Sequence, residues 1–152
     1  MTFSFKPHSN NRKIELQIEG LKKSTRKGIR KAFYFIGKDL VADARKSILD
    51  KNKSGIVYTI FKNGRRFNHV SSAPGQAPAN LTGDLRKSVD FKVHGIDRLE
   101  FGADTPYAKA LELGNPAGNL EKRPYLIAAI QKNEKNTRQH FAQQIKKFTK
   151  RT

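Results

Sequence analysis

The sequence predicts an α+β fold in which a small, mainly antiparallel sheet is packed by two long helices, with a projecting β-hairpin and a C-terminal helix arm. Apolar residues follow a helical period over residues 24–49 and again after Pro124, and β-rich runs flank an Asn-Gly pair at residues 63–64. A chain of 152 residues is the size of one domain. We therefore expect a flexible N-terminal arm over residues 1–12 and a single domain over residues 13–152.

The first two elements are predicted to be a strand and a long helix. Residues 13–19 alternate apolar and polar side chains, which is typical of a half-buried strand, and Gly20 ends this run. Ser24 or Thr25 is suited to cap the helix that follows, which we expect to end near Leu49. Its apolar residues recur on one stripe: Ile29, Ala32, Phe33, Ile36, Leu40, Ala44 and Ile48.

A hairpin is predicted at about residues 56–70. The Asn-Gly pair favours a type I′ turn, because both central residues of that turn need positive φ. The hairpin mixes aromatic and basic side chains, and two interpretations stay open: binding of nucleic acid by stacking and charge, or a projecting arm with one partly buried face. The subunit-interface candidates are five residues of the hairpin and one of the last helix: Tyr58, Phe61, Arg65, Arg66, Phe67 and Phe148.

The second half of the chain is predicted to begin with a loop over residues 71–80. A short turn capped by Thr82, two strands over residues 89–93 and 98–101, and a brief helix after Pro106 follow. We expect the two strands to form one sheet with residues 13–19. The predicted core is Leu16, Ile18, Phe33, Ile36, Leu40, Phe91, Phe101, Leu111, Leu126 and Ile130.

The last helix is predicted to begin at Pro124 and to carry the apolar stripe of the C-terminal arm. Asn133 and Thr137 interrupt this stripe, so we expect the helix to leave the core midway and to pack on a neighbouring molecule.

Basic residues dominate the charge of the chain. Lys and Arg number 31 against 13 Asp and Glu, which gives a net charge of +18, with surpluses in residues 1–31, 45–66 and 131–152. Because neutralised phosphates release their counterions, such a surface favours DNA or an acidic partner. Zinc-finger spacing, a helix-turn-helix and RNP-type strands are absent, so we expect no sequence-specific recognition. Candidates to face DNA or the acidic partner are Lys146, Lys147, Lys150 and Arg151.

No motif in the sequence predicts catalysis or a cofactor. The chain has no cysteine, its four histidines lack metal-binding spacing, and neither a P-loop nor a nucleophile elbow is present. Only Asp97, Glu100 and Asp104 bring carboxylates close in sequence, too few for two-metal chemistry. No apolar run is long enough to span a membrane, and nothing near the N-terminus marks secretion. We therefore expect no catalytic, cofactor-binding or metal-ligating residue.

Four sequence blocks, in this order, resemble a known family. They are a Pro-Gly and Pro loop, Thr-Gly-x-Leu-Arg-x-Ser, Tyr-Ala-x-x-Leu-Glu-x-Gly and Arg-Pro-Tyr-Leu. The pattern resembles the head–tail joining, or neck, family of long-tailed phages, also called tail-completion proteins, and covers about residues 12–135. The motif residues are Pro74, Gly75, Pro78, Thr82, Gly83, Leu85, Arg86, Ser88, Tyr107, Ala108, Leu111, Glu112, Gly114, Arg123, Pro124, Tyr125 and Leu126.

The resemblance implies a virion structural protein rather than an enzyme. Its members form an oligomeric ring that joins the head connector to the tail tube, so the implied partners are further copies of the chain, the connector or stopper, and the tail terminator or tail-tube proteins. Non-specific contact with DNA in the channel is compatible with this role. The implied location is the virion neck or tail after synthesis in the host cytoplasm, with no membrane and no cofactor.

Two alternatives stay open: a tail terminator ring, and a sequence-independent nucleic-acid-binding protein of a mobile element. The motif residues are also expected to have local roles. Thr82 would cap a helix, Gly114 would end one in a left-handed conformation, and Glu112 would pair with Arg123.

Overall fold

The computed structural model describes residues 9–96 and 98–150, and it confirms the α+β class. Residues 1–8, Asp97 and residues 151–152 lie outside the described residues, and so does most of the predicted N-terminal arm. The elements in chain order are α1 (Ser9–Leu49), β1 (Val57–Lys62), β2 (Arg65–Val70), α2 (Asp84–Ser88), β3 (Val89–His94), β4 (Arg98–Ala103), α3 (Ala108–Leu113) and α4 (Leu126–Thr149).

Helix α1 replaces both the predicted first strand and the predicted first helix. Residues 13–19 are helical, and the predicted strand end and cap positions lie inside α1, so these predictions are wrong. Seven alternating residues are too few to distinguish the two-residue period of a strand from the 3.6-residue period of a helix. In addition, Glu, Leu, Gln and Lys are strong helix formers. Leu16 and Ile18, predicted to be buried, are 62% and 47% exposed, because no strand or helix of the described residues covers them.

The sheet is correspondingly smaller than predicted. β3 and β4 pair antiparallel with Phe91 opposite Phe101, and β1 and β2 form a separate two-stranded sheet. The ring of Phe91 lies against Gly37 of α1, where a Cβ would collide with it. This glycine lets β3 approach the helix closely, which a sequence pattern of apolar residues does not reveal.

Helix α4 lies antiparallel along α1. The rings of Phe33 and Phe141 meet edge to face with their centroids 5.2 Å apart. Near the end of α4, a Cβ on Gly28 would lie 3.2 Å from the carbonyl oxygen of Gln144. Asn133, which interrupts the apolar stripe, is buried and donates to the Asp43 carboxylate and the Ala129 carbonyl. The C-terminal helix arm therefore stays on α1 instead of leaving the core at this residue.

The core consists of two clusters along α1. One contains Ala44, Ile48, Leu85, Val89, Ala108, Tyr125 and Ala129, and the other contains Ala32, Ile36 and Leu40. Of the predicted core, Ile36 and Leu40 are buried. Half-buried members are Phe33, Phe91, Phe101, Leu111 and Leu126. Ile130 is 50% exposed, so its predicted burial is wrong, because the neighbouring Ala129 and Asn133 occupy the buried face of α4.

Leu40 provides a direct test of the second cluster. Its side chain is 6% exposed and packs with Ala32 and Ile36. We expect Leu40→Ala to lower the free energy of unfolding by ~2–5 kcal/mol, because it removes buried methyl groups and leaves a cavity. Urea denaturation followed by circular dichroism measures the change. Leu113→Ala, at an exposed position of α3, is the control and should shift the value by less than about 0.5 kcal/mol. Equal midpoints for the two variants would contradict the packing described here.

Candidate functional site

The four motif blocks meet at one end of the molecule, beside the C-terminus of α1. The amide of Gly75 donates to the Lys122 carbonyl at 2.9 Å, and the amide of Arg123 donates to the Leu111 carbonyl at 2.6 Å. The Arg123 side chain donates to the carbonyls of Ser72 and Glu121, each at 3.2 Å. These bonds join the loop over residues 71–80, α3 and the segment before α4 into one unit.

Lys53 ties this unit to the end of α1. Its ammonium group donates to the Ser47 carbonyl at 2.9 Å and to the Ala77 carbonyl at 2.7 Å. Partial burial lowers the pKa of Lys53, because desolvation disfavours its charged form. The loop is thus held to α1 by a side chain that the motif pattern does not include.

Glu112 is the buried charge of this unit. Its carboxylate accepts hydrogen bonds from the backbone amides of Tyr125 at 2.9 Å, Leu126 at 3.0 Å and Ile127 at 2.8 Å. The first amides of a helix have no hydrogen-bond partner within the helix. They also form the positive end of the helix dipole, which favours a nearby anion. Glu112 therefore caps α4 from α3. The predicted pairing with Arg123 is wrong, because the Arg123 guanidinium reaches backbone carbonyls instead.

Tyr125 is the largest fully buried side chain of the motif blocks. Burial raises its pKa, and the nearby Glu112 carboxylate acts in the same direction. Its hydroxyl is buried and has no hydrogen-bond partner among the described residues. The Tyr125 ring therefore packs in the core between α1, α2, α3 and α4.

The remaining motif residues have local structural positions. Gly83, with φ of 91°, is the N-cap of α2 in place of Thr82. The Thr82 hydroxyl still accepts a long hydrogen bond from the Asp84 amide at 3.4 Å, and it donates to the Asp84 carboxylate at 2.6 Å. Gly114 has the predicted positive φ, 82°, but its ψ of 166° is extended rather than left-handed helical. Pro124 precedes Tyr125, the N-cap of α4, so the helix begins two residues later than predicted.

Burial divides the motif residues into an inner and an outer set. The inner set is buried or half-buried and includes Pro78, Leu85, Arg86, Ser88, Ala108, Leu111 and Leu126. The outer set is exposed and includes Pro74, Gly75 and Tyr107. Most of the family-like pattern therefore builds the body.

The predicted hairpin is confirmed and stands off the body. β1 and β2 pair from Val57 opposite Val70 to Lys62 opposite Arg65, and Asn63 and Gly64 have φ of 51° and 73°. The hairpin is anchored at its base, where Gly55 bonds to Ser71 and Ser71 to Ile56. A groove separates one face of the hairpin from the body; it is lined by Tyr58, Ile60, His69, Leu81 and Tyr107.

The interface candidates on the hairpin are exposed. Tyr58, Phe61 and Phe67 have large exposed rings, and the Arg66 guanidinium lies 5.3 Å from the centre of the Phe61 ring. Arg65 at the turn is also exposed. Phe148, by contrast, is half-buried at the end of α4, where it packs near Gly28 of α1. The structure therefore separates Phe148 from the other interface candidates.

A second exposed feature is the excess of cations at one end of the α1–α4 pair, which we call the basic end. The contact between Gly28 and Ile145 places the last turns of α4 beside residues 22–30 of α1. The basic end comprises Lys22, Lys23, Arg26, Lys27 and Arg30 from α1 with Lys146, Lys147 and Lys150 from α4, all of them exposed. The α1 members share a shallow depression with Glu19, Gly95 and Ile96. Arg151, the fourth predicted candidate, lies outside the described residues.

The sequence shows the two basic segments of the basic end, but it does not show that they lie at the same end of the folded chain. Residues 22–30 and 146–150 are more than a hundred positions apart, and only the antiparallel pairing of α1 and α4 brings them together. Amphipathic stripes on both helices indicated that the helices pack, but not in which register or direction.

Four acidic side chains of the described residues each lie within ion-pair distance of one basic side chain. Asp43 binds Lys132, and this bond is the main reason that the pKa of Asp43 lies below its usual value. Glu100 lies 2.7 Å from His94, and Asp39 lies 2.8 Å from His140. Within residues 9–96 and 98–150, no three His, Asp or Glu side chains form a group that would hold a metal ion. None of the helices described is long and apolar enough to cross a bilayer.

The comparisons with known proteins give no relative. The chain matches no family model, and neither a curated protein nor a solved structure is detectably similar to it.

Proposed function

We propose that the chain is a virion structural protein at the head–tail junction of a long-tailed phage, forming an oligomeric ring between the head connector and the tail tube. The observation that carries this proposal is the division of the molecule into a bonded body and an exposed arm. The residues that resemble the neck family mostly build the body, around Glu112 and Tyr125. The hairpin carries the exposed rings of Tyr58, Phe61 and Phe67 together with exposed arginines.

This division suits a ring subunit. In a head-to-tail contact the arm of one subunit meets a different surface of the next, and such contacts form a ring when the rotation between subunits closes. The hairpin presents exposed Tyr58, Phe61 and Phe67 for such a contact, and aromatic residues with Arg are common at interface centres. The flanking partners would be the connector or stopper on the head side and the terminator or tail-tube protein on the tail side. No catalytic step is part of this role.

A direct test is complementation in a phage whose gene for this chain is disrupted. We expect separate, DNA-filled heads and finished tails by electron microscopy, with joined particles restored by the intact gene. Tails of irregular length would instead favour the tail terminator role. Joined particles at normal yield without the chain would contradict both ring proposals.

The basic end favours a second candidate, a sequence-independent nucleic-acid-binding protein of a mobile element. Eight exposed cations lie at this end, on two neighbouring helices. In the neck proposal the same surface faces channel DNA or an acidic partner ring, so DNA affinity alone is compatible with both. In either role, binding to phosphates carries no base information.

Charge reversal tests the basic end itself. We expect Lys146→Glu, Lys147→Glu and Lys150→Glu together to weaken duplex binding at least tenfold at low salt. The slope of log affinity against log salt should flatten by up to about three, because each lost phosphate contact removes nearly one unit. Fluorescence anisotropy with two unrelated duplexes across a salt series measures both quantities.

The control carries the same charge change elsewhere. Lys51, Lys109 and Lys122 are exposed and lie outside the basic end, so their triple replacement by Glu should alter binding less. Equal losses for the two triple variants would show that only net charge matters. A preference for one duplex that survives high salt would contradict non-specific binding.

A further inference from the structure

The groove between the hairpin and the body has apolar side chains on both of its walls. Tyr58 and Ile60 of β1 lie on one wall, and Leu81 and Tyr107 of the body lie on the other. Tyr58, Leu81 and Tyr107 are between 44% and 52% exposed. The groove has a volume of about 750 Å³, which is within the range of sites that hold a drug-sized ligand. Exposed apolar surface of this kind marks an interaction site.

The tip of the same hairpin carries an aromatic ring on each of its faces. Directly opposite residues of paired strands share a face, so Phe67 lies on the face of Ile60 and Phe61 lies on the face of Arg66. These two faces are opposite, because successive residues of a strand alternate. Phe61 and Phe67 are 69% and 49% exposed. A tip with a ring on each face matches a groove with two apolar walls, whereas a flat patch would cover only one of the rings.

The charges of the groove and of the tip are opposite in sign. Among the described residues that line the groove, Asp84 is the only Asp, Glu, Lys or Arg, although the chain as a whole carries a net charge of +18. No basic side chain of the described residues lies within ion-pair distance of Asp84. At the tip, Arg65 and Arg66 are exposed, and neither has a carboxylate partner in the part of the chain that the structure describes. The groove therefore favours an occupant that is aromatic and cationic, as the tip is.

We propose that the groove of one subunit receives the hairpin tip of a second copy of this chain. The rings of Phe61 and Phe67 enter between the two walls, and the tip arginines lie toward Asp84. The tip comes from another molecule, because β1 of the receiving chain is itself one wall of the groove. Donor and receiving surfaces differ, so the contact is head-to-tail. It rests on the proposed ring and identifies the surface that the arm meets, with Tyr58 on the receiving side.

Mixing two defective variants tests this contact in the full-length chain. The tip variant, Phe61→Ser with Phe67→Ser, keeps its groove, and the groove variant, Leu81→Lys, keeps its tip. In size-exclusion chromatography with light scattering, we expect the wild type to assemble beyond two chains and each variant alone to be monomeric. An equal mixture should give a species of two chains, because one intact tip meets one intact groove and the two remaining surfaces are defective.

The control is Leu113→Lys, which makes the same change at an exposed position outside the groove and should assemble like the wild type. Circular dichroism checks that all variants are folded. A wild-type chain that is monomeric or stops at two chains would overturn the proposal, and so would a mixture of folded variants without a two-chain species.

Engineered cysteines locate the contact without changing the apolar rings of the tip, and the natural absence of cysteine leaves no background. A short bismaleimide should join tagged Arg65→Cys to untagged Leu81→Cys. With Leu113→Cys in place of Leu81→Cys, the yield of the joined product should fall at least tenfold. Equal yields for the two positions would overturn the groove as the receiving surface.

Failure of this contact is distinguishable from failure of the neck proposal. The neck proposal fails when phage particles join at normal yield without the chain, whereas the groove contact is measured on the purified chain. A wild type that assembles beyond two chains but crosslinks equally through Leu81→Cys and Leu113→Cys would overturn the groove contact and leave the ring in place.

Discussion

Replacing Glu112 with alanine should lower the free energy of unfolding by about 3 kcal/mol, the largest effect we expect from a single motif residue. The carboxylate is buried and accepts bonds from three successive amides at the start of α4. Without it, three amides lose their partner and the positive end of the α4 dipole loses its anion. The change also disconnects α3 from α4, because Glu112 lies on α3.

Urea denaturation measures the effect, and two further variants define its cause. Glu112→Gln keeps one acceptor oxygen but loses the charge, so it should cost less than the alanine variant. Glu121→Ala removes an exposed carboxylate nearby and should leave the unfolding midpoint unchanged. If Glu112→Ala and Glu121→Ala unfold at the same urea concentration, Glu112 does not hold the start of α4.

Local sequence patterns correctly predicted the elements whose conformation is determined by their own residues. The Asn-Gly pair requires positive φ at both residues, and the structure has 51° and 73° there. The strands β3 and β4 and the end of α1 at Leu49 are also as predicted. In each case, adjacent residues carry enough information to fix the backbone conformation.

Predictions failed where the partner of a residue is distant in sequence or belongs to the backbone. The sequence predicts that Glu112 pairs with Arg123, because side-chain charges are visible in a sequence, whereas the backbone amides that Glu112 binds are not. The sequence predicts that Leu16 and Ile18 are buried on one face of a half-buried strand. Alternation indicates which residues would share a face but not whether anything covers that face. The basic end depends on the direction of α4 along α1, which no local pattern specifies.

The hairpin deletion has the largest expected effect on function. Deleting residues 57–69 and joining the ends through two glycines should leave the body folded, because the hairpin is anchored at its base by bonds between Gly55, Ile56 and Ser71. In the neck proposal the same deletion should abolish tail attachment, because it removes the exposed aromatic surface of Tyr58, Phe61 and Phe67. Circular dichroism and urea denaturation test the fold, and complementation of the disrupted gene tests attachment.

Point variants test whether the exposed side chains of the hairpin, rather than the hairpin as a whole, make the contact. Phe61→Ser with Phe67→Ser keeps the turn and the strand pairing but removes two exposed rings, so joined particles should fall at least tenfold if these rings fill a pocket on the next subunit. Thr59→Ser, at an exposed position of β1, is the control and should support normal joining. Normal joining by the full deletion would show that the arm does not make the subunit contact. Failure of the deletion together with success of the double serine variant would place the contact elsewhere on the hairpin. The remaining possibilities are Tyr58, Arg65 and Arg66, or the outer edges of β1 and β2, which are open to a further strand.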